Sequence, residues 1–162
     1  MFDKKKSNYV DVLKKGLFLD DYNVLIEWDI EESELKQKII LFNNLSVAEN
    51  HPLKTITYSL QSKILNSETP FMLSFHFKEG KLRAVYLSGG STDVCAEKNF
   101  DAIQNFLESK LGKPNYLYVL DKLFSDKEDI IYGWKIGKIK IKHQLFDFKS
   151  RTTLEIMVLN EG

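Results

Sequence analysis

Residues 133–146 read GWKIGKIKIKHQLF, and the strand pairing this stretch dictates decides what kind of sheet the chain builds. Isoleucine and lysine alternate with a period of two, the repeat of a strand with one buried face and one wet face. Gly137-Lys138 interrupts the alternation, and a two-residue type II′ turn, which wants glycine first, would fold the stretch back on itself there. Ile136 then faces Ile139, Trp134 faces Ile141, Tyr132 faces His143 and Lys135 faces Lys140. Continuing through the looser turn near Phe148 sets His143 beside Leu154 and Lys142 beside Glu155. One face is therefore Tyr132, Trp134, Ile136, Ile139, Ile141, His143, Leu145, Leu154, Ile156 and Val158. It is a core face, on which Tyr132 is the expected hydrogen-bond partner of a buried His143. The other face carries Lys135, Lys140, Lys142 and Glu155. Lys142 and Glu155 can pair, whereas Lys135 and Lys140 set like charges opposite each other at a small cost.

A second hairpin reads the same way. MLSFHF and LRAVYL flank a turn at Glu79-Gly80, which places Phe77/Leu82, Phe75/Ala84 and Leu73/Tyr86 inside and leaves His76 and Arg83 facing each other outside. If both hairpins join one sheet, its open face carries His76, Arg83, Lys135, Lys140 and Lys142, a candidate basic partner-binding surface.

The remaining segments fit around these hairpins. LKTITYSLQSKIL and TTLEIMVL alternate as strands, and LFLD and VLIEW are short ones. A short helix over 8–15 ends at Gly16. A second, over 31–44, opens on a capping-box-like Asp29–Glu32 and carries Leu35, Ile39 and Phe42 on one stripe. A third, over 95–111, carries Phe100, Ile103, Leu107 and Leu111, with Gly112 suited to the left-handed C′ position and Pro114 as a stop. The order is helix-β-β-β twice, over 29–90 and 93–160, within a single domain spanning 1–162. The expected fold is α+β: an antiparallel sheet of about six strands in a tandem αβββ repeat, with helices on one face and the other face open.

Composition bounds the function. With 162 residues, 43% of them hydrophobic, the chain can bury a real core. A formal net charge of zero gives no global pull towards nucleic acid or an anionic membrane. Charge is nevertheless uneven. From Asp20 to Glu34 there are seven acidic residues and no basic one, so Asp20, Asp21, Asp29, Glu31, Glu32 and Glu34 form a candidate acidic partner-binding patch. Lysine predominates over arginine, and Asn, Ile and Phe are plentiful, a bias that fits an AT-rich bacterial genome. Cys95 is the only cysteine, which rules out an internal disulfide and suits a reducing, cytoplasmic compartment. The start, MFDKKKSNYVDVLKKG, has no apolar run after its basic residues, unlike a signal peptide. No stretch approaches the roughly 18 apolar residues of a membrane span.

Catalytic and ligand chemistry find little purchase. His51, His76 and His143 are scattered and no zinc spacing occurs, so no metal or cofactor is expected. YLSGGSTD, residues 86–93, could cradle an anion with backbone N–H groups and could act with Cys95 and His76. It lacks both the Walker lysine and the dinucleotide glycine pattern. A nucleic-acid-binding sheet needs outward aromatics for stacking, and here Tyr132, Trp134, Phe75 and Phe77 point inward.

The tandem αβββ order resembles the β-lactamase-inhibitor protein family in connectivity across residues 31–159, and no functional residue transfers from it. EWDIEESELKQ, FHFKEGKL, FLESKLGKP and GWKIGKIKIKHQLF, in a cofactor-free domain, are similar to features of the small immunity proteins of bacterial polymorphic-toxin and contact-dependent inhibition systems. That resemblance implies stoichiometric binding of a toxin domain and occlusion of its active site, with no catalysis. The expected function is thus that of a protein inhibitor. A phosphate- or small-ligand site at the SGGST turn and a nucleic-acid-binding basic face are the alternatives. Thermal-shift screening with nucleotides and phosphorylated metabolites separates the first two: an inhibitor gives no shift, whereas a shift abolished by Gly90→Ala favours the turn.

Overall fold

In the computed structural model, which describes residues 3–40, 42, 45–89, 96–120, 129–146 and 151–159, helix α1 (Asp3–Lys15) passes directly into β1 (Gly16–Leu19), which pairs only with β2 (Val24–Glu27). Helix α2 (Glu32–Ile39) then leads into β3 (Ser46–Asn50), β4 (Thr55–Ser62), β5 (Phe71–Lys78) and β6 (Lys81–Gly89). Helix α3 (Ala96–Leu111) leads into β7 (Tyr116–Leu120), β8 (Asp129–Ile136), β9 (Ile139–Phe146) and β10 (Arg151–Val158). The last eight strands form one antiparallel sheet in the order β3-β4-β5-β6-β10-β9-β8-β7. Two meanders are thus joined along β6 and β10, and each follows a helix.

The sheet has eight strands where alternation pointed to about six, and each repeat is a helix with four strands. The two additional strands lie at the edges. In β3, SVAEN is exposed at every position, so nothing in it alternates. In β7, YLYVL lies inside a stretch that reads as a connection. Helix α2 is also shorter than its stripe implies. It is capped two residues later, where Glu31 N–H donates to Glu34 Oε2 at 3.3 Å. It ends at Ile40, after which Phe42 stacks on Tyr22 at 3.9 Å between ring centroids.

The late hairpin has the register that its turn dictates. Gly137 stands at φ 56°, and Ile136↔Ile139, Lys135↔Lys140, Trp134↔Ile141 and Tyr132↔His143 are partners. Across the next strand pair, Leu154 faces His143 and Glu155 faces Lys142. The β5–β6 hairpin departs from its expected register. Glu79 and Gly80 are both left-handed, at φ 53° and 79°, as a type I′ turn requires. Phe77 faces Leu82, but the next pair is His76↔Ala84, because Arg83 is an extra residue on β6. Beyond this bulge every residue of β6 changes face. Val85 and Leu87 are buried, Tyr86 points outward, and His76 does not face Arg83.

Helices and the β1–β2 pair cover one face. Leu13, Leu17, Ile26, Leu35, Ile39 and Leu107 share a core with Leu60, Phe75, Val85, Ile139 and Ile156 of the sheet. Both tryptophans are buried there, and each indole N–H reaches a backbone carbonyl: Trp28 that of Leu13, Trp134 that of Gly112 at 3.0 Å. Such partners are what make burial of the indole favourable. Among the described residues no helix is long and apolar enough to cross a membrane.

Two glycines allow a contrast. A Cβ on Gly16 would lie 2.3 Å from the Ile26 carbonyl oxygen and 2.8 Å from the Glu27 Cα, both backbone atoms of the paired strand. At Gly112, φ is 84° but nothing lies within 4 Å. Gly16→Ala is expected to cost about 3 kcal/mol, the upper end for overpacking. Gly112→Ala is expected to cost about 1 kcal/mol, from the left-handed backbone alone. Urea denaturation of the two variants checks this, and equal losses would contradict steric crowding at Gly16.

Candidate functional site

On the face of the sheet that the described helices leave uncovered, period-two alternation sets side chains in rows, one strand apart at each step, and two adjacent rows cross β4, β5, β6, β10, β9 and β8, with Gln61, Met72 and Ser88 in the row beyond. One row runs Thr57, His76, Ala84, Met157, Lys140, Lys135, and the next runs Ser59, Ser74, Tyr86, Glu155, Lys142, Gly133. On β4 and β5 the face is hydroxyl-rich: Thr57 Oγ1 lies 3.0 Å from His76 Nδ1, and the Ser59 and Ser74 hydroxyls are 2.9 Å apart. At the centre Tyr86 is 46% exposed, high for a large side chain in the middle of a sheet, between half-buried Met157 in one neighbouring row and Met72, 41% exposed near the start of β5, in the other. His76 stands edge-on to Tyr86 at 6.3 Å. Burial first, and then the hydrogen-bonded Glu155 carboxylate, raise the Tyr86 phenol above its ordinary value, so it stays neutral.

Of the expected basic residues, Lys135, Lys140 and Lys142 do share this face, in one corner. His76 lies three strand spacings away, about 14 Å, and Arg83 is carried out of the rows by its bulge. The face is therefore divided into a hydroxyl part, an apolar centre and a lysine corner. Tyr86 carries no sequence signal as a surface residue, since alternation reads it as an inward partner of Leu73, whereas Met72 falls on the outward parity of Ser74 and His76.

The acidic run does not form one patch. Asp20 Oδ2 accepts the Asn66 N–H at 2.8 Å and Asp21 Oδ2 the Lys63 N–H at 2.9 Å, so these two carboxylates fasten the β4–β5 connection. Glu32 accepts the buried Tyr58 hydroxyl. Burial, and then this carboxylate, push the Tyr58 phenol above the usual tyrosine range. Glu31 and Glu34 cap α2. Asp29 lies 3.8 Å from Lys138 and, with Glu31, lines a cleft of about 490 Å³. Lys81, Arg83 and Lys138 share that cleft over a floor of Trp28, Leu82 and Val158. Of the two expected patches, only Asp29, Glu31 and Arg83 meet here.

His143 lies in the core, as its register requires, but its partner is not Tyr132. Its Nδ1 lies 2.7 Å from Gln104 Oε1, and Gln104 Nε2 donates to Glu108 Oε1 at 2.9 Å. The ring stacks on Phe100 at 4.2 Å. Because α3 crosses β9, a residue 39 positions away supplies the hydrogen bond. Nε2 is buried without a partner among the described residues, and burial lowers the imidazole pKa to about 4. Among the described residues no three His, Cys, Asp or Glu converge as metal ligands. The SGGST turn from Gly90 onward, and Cys95, lie outside the described residues.

No family model matches the chain, and no curated protein is similar to it. Among solved structures, a DUF4309-family protein, YjgB of Bacillus subtilis, superposes with a TM-score of 0.45 at 12% identity over 96% of each chain.

The His143 value has a thermodynamic consequence. Its folded pKa of about 4 lies below the unfolded value of 6.5, so between these values the unfolded chain binds the extra proton. Stability is full above pH 6.5 and falls as pH drops towards 4, by about 3 kcal/mol from this group. Urea titrations from pH 7 to 4 should show that slope, and His143→Phe should remove it. A slope unchanged in the variant would assign the effect to other groups.

Proposed function

We propose that the chain is a non-enzymatic inhibitor of the immunity type, acting in the cytoplasm and seating a cognate toxin domain on the uncovered face of its sheet. One observation carries this reading. Tyr86 stands exposed at the centre of an antiparallel face whose other side is covered by helices, with Met72 exposed diagonally beside it near the start of β5. Exposed large apolar groups ringed by polar ones are the anatomy of a protein contact, in which a few buried anchors supply most of the affinity. Lys135, Lys140 and Lys142 at one corner favour a partner with an acidic rim there, steering encounter more than holding the complex. The acidic run is the weaker candidate, because Asp20, Asp21, Glu32 and Glu34 already accept internal hydrogen bonds. Inhibition would follow from one-to-one occlusion of the toxin's active site.

Co-purification with the product of the neighbouring reading frame tests this, with protection of growth on co-expression as the second readout. A one-to-one complex is expected. Tyr86→Ala should weaken it by about tenfold or more, as loss of a central anchor does. Lys135→Glu should mainly slow association, and Asp29→Lys should leave affinity unchanged. An Asp29/Glu31/Glu32 charge reversal that abolished binding, with Tyr86→Ala and Lys135→Glu neutral, would overturn the choice of face. Failure to find any stoichiometric protein partner would overturn the inhibitor reading.

A further inference from the structure

On the helix-covered side, a second cavity has a chemistry of its own. Tyr9, Val12 and Leu13 of α1, Phe18 of β1 and Leu65 wall a groove of about 410 Å³ that ends at Asp20 and Asn66. The volume suits a small organic molecule, and Asp20 is the only carboxylate among the lining residues. Its Oδ2 accepts the Asn66 N–H at 2.8 Å, while Oδ1 takes no hydrogen bond from the described residues. No described cation forms an ion pair with it. Lys110 and Lys63 act on Asp20 only from a distance, against the like charge of Asp21, and Lys110 stands 5.0 Å above the Tyr9 ring. Burial raises the Asp20 pKa, the sign of a carboxylate whose charge is incompletely compensated.

The groove wall is also held in an unfavourable conformation. Leu65 and Asn66 both occupy the left-handed region, at φ 51° and 56°, in a reversal closed by Ser67 N–H to the Ile64 carbonyl at 2.9 Å. That region is costly for a leucine. The turn is fastened by Asp20 on the Asn66 N–H and by the Asn66 side-chain amide donating to the Tyr9 hydroxyl at 3.1 Å. These contacts fix a leucine side chain, an aromatic ring and a half-buried carboxylate around one space. An apolar trough with a single negative charge at its end complements an amphipathic cation.

We propose that this groove binds a small organic cation, a primary ammonium or guanidinium on a short apolar body, with the cationic head at Asp20 Oδ1 and the body against Tyr9, Val12, Phe18 and Leu65. The site is separate from the uncovered sheet face, so the two readings stand or fall independently. A lysine side chain of another protein presents the same chemistry as a free amine, and the probes distinguish the two.

The test is a two-dimensional amide NMR titration of the full chain with hexylammonium, agmatine and Nα-acetyl-lysine-N′-methylamide, with hexanoate and hexanol as controls. Saturable shifts around Tyr9, Phe18 and Leu65 at millimolar probe or below are expected for the cations and not for the controls. Tighter binding of the free amines indicates a metabolite, and tighter binding of the blocked lysine indicates a protein side chain. Asp20→Asn keeps an oxygen acceptor for the Asn66 N–H and should weaken the cations at least about tenfold, the loss of one charge-assisted contact. Val12→Trp fills the groove without touching Asp20 and should abolish binding. Non-saturating shifts, equal binding of hexanoate, or undiminished affinity in Asp20→Asn would overturn the proposal.

Discussion

Between Leu82 and Ala84, β6 carries one residue more than its partner, and this extra residue sets which side chains every neighbouring strand meets. Strand side chains alternate, so a one-residue change exchanges the faces. With Arg83 bulged out, Val85 and Leu87 turn to the core and meet Ile156 and Leu154 of β10, which are buried as well. Without the bulge, Ala84 and Tyr86 would face those residues, a small side chain and a phenol in place of two aliphatic ones. The β6–β10 pairing is also the seam between the two meanders. One local irregularity therefore reconciles the pattern of the first half with that of the second, and it brings Tyr86 to the surface.

The late hairpin is legible in the sequence because turn and pattern agree. Gly137 admits one tight reversal, and only one register then puts apolar beside apolar across β8, β9 and β10. The earlier hairpin is not legible to the same depth. In LRAVYL both parities are plausible, since Leu82, Ala84 and Tyr86 are as apolar as Val85 and Leu87, and no residue type announces a bulge. The edge strand β3 escapes for the opposite reason: a strand exposed at every position has no alternation to detect. His143 could be placed in the core from register, but its partner could not, because Gln104 reaches it from a helix whose crossing over β9 is a tertiary fact.

The acidic run teaches a related lesson about charge. Seven carboxylates without a balancing lysine between residues 20 and 34 look like a surface field. Carboxylates, however, are also the strongest acceptors available for backbone N–H groups at turns and helix starts. Asp20 and Asp21 grip the 63–66 connection, and Glu34 returns to the Glu31 N–H. Glu32 binds the hydroxyl of a tyrosine buried in β4. Linear charge density does not distinguish these roles, because the groups that receive the hydrogen bonds lie elsewhere in the chain.

Rigidity separates the two surfaces that the fold offers. Tyr86 is held between Ser74 and Glu155 in the middle of eight paired strands, so its position is set before any partner arrives. Association then loses little side-chain freedom, and an anchor fixed in this way returns more of its buried area as affinity. The Asp20 groove relies instead on a connection between strands, kept in a left-handed conformation by a few hydrogen bonds. Anything that drew Asp20 away from Asn66 would release that turn. Occupancy of the groove and the order of the 63–66 connection are therefore linked, and a cation that completes the charge at Asp20 without displacing the Asn66 N–H would reinforce the turn as it binds.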